Sequence, residues 1–163
     1  MEKNGLFGLL VSFLLFLLLC CSTVTEHNAA GDSKNYQASQ EEYNTAYKET
    51  YRFIETIQET MDTGNFPAWK KLLTAEYIHK YSDPRYLKRI SNEPGLKNNH
   101  IVLHNLHDYF VYVFIPSRSG IKMDRIEFIT QNRVKVITIV NNTDYVIYLL
   151  QKEENHLWKI GVW

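Results

Sequence analysis

The chain has 163 residues, with 18 basic and 18 acidic side chains and no net formal charge. No basic block points to nucleic acid, and no acidic tail points to a disordered segment. Aromatic residues are plentiful, with 11 Tyr, 8 Phe and 3 Trp, which suits strands, a pocket or a binding face.

In chain order, the first element is an apolar run from Leu6 to Leu19 without a charged residue. As a helix it would be roughly 21 Å long, short of the ~30 Å hydrocarbon core of a bilayer. That length suits the apolar region of a signal peptide, although only Lys3 and the amino terminus, set against Glu2, stand ahead of it. The small-residue ending of an ordinary secretory signal is missing; the run stops at Leu18-Leu19-Cys20-Cys21. This ending resembles a lipobox, the processing site of bacterial lipoproteins, in a relaxed form. The resemblance implies a diacylglycerol on the Cys21 thiol, cleavage before it, and acylation of the new amino terminus. Cys20 would stand where Gly, Ala or Ser is usual; were Cys20 the acceptor, the bulky Leu19 would precede the cut. Several acyl chains anchor a protein stably, each buried CH₂ adding about 0.8 kcal/mol. The competing reading is a short uncleaved anchor helix. If Cys20 leaves and Cys21 carries lipid, no free thiol remains for a disulfide or a cysteine metal site.

The expected division is thus a signal peptide over 1–20, a flexible tether over 21–40 rich in Ser, Thr, Asn, Ala and Gly, and one domain over 41–163. By the sorting logic of two-membrane bacteria, Ser22 after Cys21 favours the outer membrane over the periplasmic face of the inner membrane. About 120 residues suffice for one core.

The domain opens with a helix over 40–63, whose apolar residues Tyr43, Tyr47, Tyr51, Ile54, Ile57 and Met61 recur at steps of three and four. Gly64 stops it and Pro67 opens a short second helix bearing Trp69. Helices are also expected over 76–81 and 84–91, the latter capped by Asp83 ahead of Pro84, and a loop over 92–99. From there the period reads as two. Strands are expected over 107–115, 122–130, 133–141, 144–152 and 157–163, joined by turns at 116–120, 131–132, 142–143 and 153–156. Helices followed by a strand meander predict an α+β fold, N-terminal helices packed on a curved antiparallel sheet.

Two stretches carry a resemblance, FIETIQETMDTGNFPAWKKLL and the closing WKIGVW. A long amphipathic helix, a Gly-Asn turn, a Trp-bearing helix and a final strand run of this texture look like the cystatin-like, nuclear transport factor 2-like superfamily, including its SnoaL-like and ketosteroid-isomerase-like members. The resemblance covers about residues 41–163. It implies a cone-shaped cavity between helices and sheet, used for catalysis in some members and for ligands or partners in others, and a homodimer through the sheet face.

His100, His104 and His107 lie close in sequence, but without supporting ligands they read as surface or strand-entry residues, and no metal or cofactor is expected. Asp108, with Tyr112 or Tyr148 as oxyanion donor, is the candidate catalytic base, its competing role being a turn cap. Arg125 and Glu127 on one strand and Arg133 and Lys135 on the next predict a charged ladder, read as a solvated face or a partner-docking face. Trp69, Tyr77, Tyr81, Tyr86, Tyr112 and Trp158 are the candidate cavity wall, against the simpler role of core aromatics. The expected function is a non-catalytic, lipid-anchored envelope module for an apolar ligand or a protein partner, with no nucleic-acid role. The alternatives are a small isomerase- or hydrolase-like envelope enzyme and a structural envelope lipoprotein.

Overall fold

Ser39 starts the first helix. Its hydroxyl accepts the Glu42 N–H at 3.2 Å, while the Glu42 carboxylate accepts the Ser39 N–H at 2.7 Å, a reciprocal cap. The computed structural model describes residues 36–163, so Cys20, Cys21 and the tether up to residue 35 lie outside the described residues. Ser33–Trp163 forms one compact unit with its own hydrophobic core.

Helix α1 spans Gln40–Asp62 and buries Ala46, Thr50, Ile54, Ile57 and Met61. Its lower half uses the expected face. In the upper half small residues take the core side, with the Thr50 hydroxyl bonded to the Ala46 carbonyl at 2.8 Å, and Tyr51 turns outward. Gly64, at φ 61°, ends the helix in the left-handed region. Asn65 caps α2, Phe66–Lys70; Thr74 caps α3, Ala75–Ser82; Asp83 caps α4, Pro84–Ser91, accepting the Arg85 and Tyr86 N–H groups at 2.9 Å each. The stretch expected to be loop holds a short helix, α5, Pro94–Lys97, with Pro94 in the first turn, where its missing N–H costs nothing.

The main correction concerns residues 107–115, expected as a central strand. They are helical: α6, Leu106–Tyr109, runs into a π-helical turn, Phe110–Phe114, and then α7, Ile115–Arg118. The apolar run fits both periods, because a segment with hydrocarbon on every side carries no phase. Local chemistry decides. Asn105 accepts the Asp108 N–H at 2.9 Å, and the Asp108 carboxylate accepts the His104 N–H at 2.8 Å, which fixes a helix start. Pro116 has no N–H for the carbonyl four residues back, and the ladder shifts in the π turn just ahead of it. The expected turn at 116–120 is therefore helical as far as Arg118.

The described sheet has four antiparallel strands in the order β1-β2-β3-β4: Arg125–Thr130, Arg133–Val140, Thr143–Lys152 and Trp158–Ile160. The β2–β3 turn places Asn141 and Asn142 at φ 51° and 61°, the pair of left-handed residues a tight hairpin requires. The register aligns Ile126, Val136 and Tyr148 in one row and Phe128, Val134, Leu150 and Ile160 in the next, and these rows face the core. The opposite side carries Glu127 against Lys135 at 3.2 Å, with Arg125 reaching both Glu127 and Asp144. Between sheet and helices sit Trp69, Phe110 and Phe114, all fully buried, with ring centroids 4.6 and 4.7 Å from Trp69. Each buried Phe contributes about 1.5–3 kcal/mol.

Candidate functional site

Three local irregularities meet at one place. First, the α2–α3 link is sewn to strand β4: the Ile160 N–H reaches the Leu72 carbonyl at 2.8 Å and the Thr74 N–H reaches the Ile160 carbonyl at 2.9 Å. This covers the sheet edge and brings the start of α3 beside β4. Second, the β2–β3 register slips between Val136 and Ile137, so that Val136 faces Tyr148 while Ile137 faces Val146, leaving Ile147 as an extra, unpaired residue. Third, the π-helical turn precedes Arg118, which follows Phe110 and Phe114 at steps of four on the same side.

Arg118 joins the second and third. Its Nε donates to the Ile147 carbonyl at 3.3 Å, and its Nη1 to Ser117 Oγ at 2.7 Å. Its guanidinium lies over the Phe114 ring at 4.7 Å and near the Tyr148 ring at 5.8 Å. A guanidinium has five N–H donors, so donors remain for another acceptor. No carboxylate among the described residues is paired with it.

A solvent-open cleft of about 400 Å³ lies here, its polar and aromatic wall made by Tyr77, Lys80, Tyr81, Arg118, Tyr148 and Trp163. The rest of the wall is aliphatic, chiefly Val146, Ile147, Leu149 and Ile160, and no acidic side chain lines it. Tyr77 and Tyr148 are each only 3% exposed, and neither hydroxyl has a hydrogen-bond partner among the described residues. Such orphaned groups are uncommon, since leaving one unpaired costs about 1–3 kcal/mol. Behind them the tyrosines stack in a cluster: Tyr81 lies 4.2 Å from Tyr77, 4.6 Å from Tyr109 and 5.0 Å from Tyr86, ring centre to ring centre.

Burial governs the titration of these phenols. It pushes Tyr148 up to about 12, with Arg118 pulling weakly the other way. Burial and then the neighbouring Tyr81 push Tyr109 to about 12. Burial and then Tyr109 hold Tyr77 well above the ordinary range. These hydroxyls therefore keep their protons at neutral pH and act as donors. A cleft with a guanidinium and an ammonium can hold an acceptor-rich group; no carboxylate or imidazole base is among its lining residues.

Of the sequence candidates, Tyr77 and Tyr81 line the cleft and Tyr86 packs edge-on against Tyr81. Trp69 is in the centre of the core, and Tyr112 is 46% exposed on the helical segment. Trp158 is buried elsewhere, its indole N–H bonded to Glu49 at 3.0 Å beside the Lys152–Glu49 ion pair. Asp108 serves as the helix cap described above. His107 packs edge-on to Phe66 at 5.0 Å, and His100 adopts φ 57° in a loop. Among the described residues no three His, Cys, Asp or Glu are grouped to hold a metal ion, and no helix is long and apolar enough to cross a membrane. Sequence reasoning missed Arg118, Lys80 and Trp163. The four-residue spacing Phe110, Phe114, Arg118 was the available signal, hidden by the strand reading.

The chain is similar to an uncharacterized lipoprotein of Treponema pallidum (strain Nichols), 31% identical over 96 residues. The match covers 59% of this chain and 50% of the relative, so the chain spans about half the length of the curated relative it matches. No family model and no solved structure matches the chain.

Proposed function

We propose that this chain is a bacterial lipoprotein held at the cell envelope by lipid on Cys21, and that its domain is a non-catalytic binding module. The observation that carries the binding reading is the solvent-open cleft, whose aromatic and aliphatic wall holds the Arg118 guanidinium with donors left free. An apolar wall with a few convergent polar groups is the usual make-up of a small-molecule site. The anchor reading rests on the run ending Leu18-Leu19-Cys20-Cys21 and on the likeness to the treponemal lipoprotein. For the fold, the nuclear transport factor 2-like superfamily remains the proposal. It is supported by the 23-residue first helix ending at the Gly64-Asn65 turn, the Trp69 helix after it, and the closing strand at Trp158–Ile160.

The filled interior of Trp69, Phe110 and Phe114 supports a second reading, a structural envelope lipoprotein whose core leaves no ligand space. Native mass spectrometry of the full-length protein, drawn from membranes in mild detergent, separates the two. A small molecule retained beyond the lipid anchor is the expected result. A bare protein mass, as monomer or dimer, would sink the binding reading in favour of the structural one.

A further inference from the structure

Resting on the binding reading above, we infer that the cleft takes a monocarboxylate with a compact apolar body, its carboxylate held by Arg118 with Lys80 at the rim. Three observations point the same way. The cleft contains two cationic side chains and no anionic one, in a chain whose charges balance overall. Arg118 is held in place on its Ile147 and Ser117 side by two hydrogen bonds and by the Phe114 ring, which leaves donors for an acceptor from outside. The remaining wall, Val146, Ile147, Leu149, Ile160 and the rings of Tyr81 and Trp163, offers hydrocarbon and aromatic faces. A volume of about 400 Å³ lies toward the small end of ligand pockets, roughly 300–1,000 Å³.

The β-bulge and the π turn acquire a role in this account. At the bulge the Ile147 carbonyl accepts a hydrogen bond from the Arg118 Nε–H, and the helical register carries the guanidinium to it. Both kinds of irregularity recur next to functional sites. Lys80 is exposed at the rim, its Nζ 5.6 Å from the Tyr81 ring centre, and so adds long-range attraction more than geometry.

The test uses the unit Ser33–Trp163, which contains the described core, and reads the fluorescence of Trp163, a wall residue. The probes are octanoate and octanamide, which share one alkyl chain and differ in charge. Charge-assisted hydrogen bonds are worth about 1.5–3 kcal/mol, so octanoate is expected to bind roughly tenfold to hundredfold more tightly, with the preference shrinking as salt rises. Arg118→Gln should abolish the preference, and Lys80→Gln, at an exposed site, should reduce it severalfold. Arg118→Lys keeps the charge but loses the fork, so an intermediate preference is expected should Arg118→Gln fold poorly. Equal binding of both probes, unchanged in the variants, would overturn the carboxylate inference and leave the binding reading standing. Binding of neither probe would overturn the inference, while a retained ligand in the native mass experiment would still uphold the binding reading.

Discussion

Replacing Tyr148 by Phe should make the unliganded domain more stable. Tyr148 is 3% exposed on β3, and its hydroxyl has no partner among the described residues. Removing a hydrogen-bonded buried hydroxyl normally costs about 1 kcal/mol, but here no bond is lost and an unpaired donor is removed. An unsatisfied buried polar group costs about 1–3 kcal/mol, so the expected gain is on the order of 1 kcal/mol. The ring stays, and with it the contacts to Phe114 at 6.2 Å and to Arg118. For a domain of this size such a gain raises Tm by about 3–6 °C. Urea unfolding and calorimetry on Ser33–Trp163 would read it, with an unchanged m-value showing that the denatured state is unaltered. Tyr77→Phe should gain less, because Tyr109 lies close enough to influence its hydroxyl. A loss of about 1 kcal/mol in Tyr148→Phe would mean that the hydroxyl is satisfied in the folded protein, and the unpaired-donor argument would fall.

The same phenols predict alkaline lability. Tyr148 and Tyr109 titrate near 12 when folded, against an ordinary value near 10. The folded state thus holds protons that the unfolded state releases; stability is fully present below pH ~10 and falls between pH ~10 and ~12, by about 1.4 kcal/mol per pH unit per group. Tyrosinate absorbance should rise together with unfolding, and a smooth titration in an intact fold would contradict this. Cys21→Ala should leave the full chain uncleaved and without lipid label, while Cys20→Ala is still processed; normal labelling of Cys21→Ala would end the lipobox assignment. At the β2–β3 turn, Asn142 sits at φ 61°, so Asn142→Val should lose about 1–2 kcal/mol and Asn142→Gly should be neutral or slightly stabilising; equal stability of the two variants would refute the turn argument.

The parts of the fold legible in the sequence were those with an unambiguous local signal. Gly64, Pro67, and Asp83 with Pro84 mark helix ends through local chemistry, and the structure adds the Ser39–Glu42 and Asn65 caps. In β1 and the first half of β2 core residues alternate with a charged face, as Ile126, Val134 and Val136 set against Glu127 and Lys135 show, while the bulge breaks the alternation beyond Val136. Residues 107–115 failed for a physical reason: the run is apolar on all sides, and the Asn105–Asp108 cap was weighed as a catalytic Asp and a turn. That misreading propagated to the site, because a strand sends Phe114 and Arg118 into different contexts while a helix puts them in one row. On α1 only Tyr51 misled: it is 47% exposed, while Tyr43 and Tyr47 pack against the core at its edge and Ala46 and Thr50 fill the buried side between them. The cleft itself depends on a bulge at Ile147 and a bridge from Leu73 to Ile160, long-range features with no local signature.

The most direct test of the account is native mass spectrometry of the full-length protein from membranes, run beside the variant Val146→Trp. Val146 is half exposed at the cleft wall, so a large ring there fills the space without entering the core. The account predicts a retained small molecule in the unaltered protein, its absence in the variant, and the same Tm for both proteins once ligand-free. A bare mass in both, or the same retained molecule in both, would contradict the claim that this cleft is the binding site.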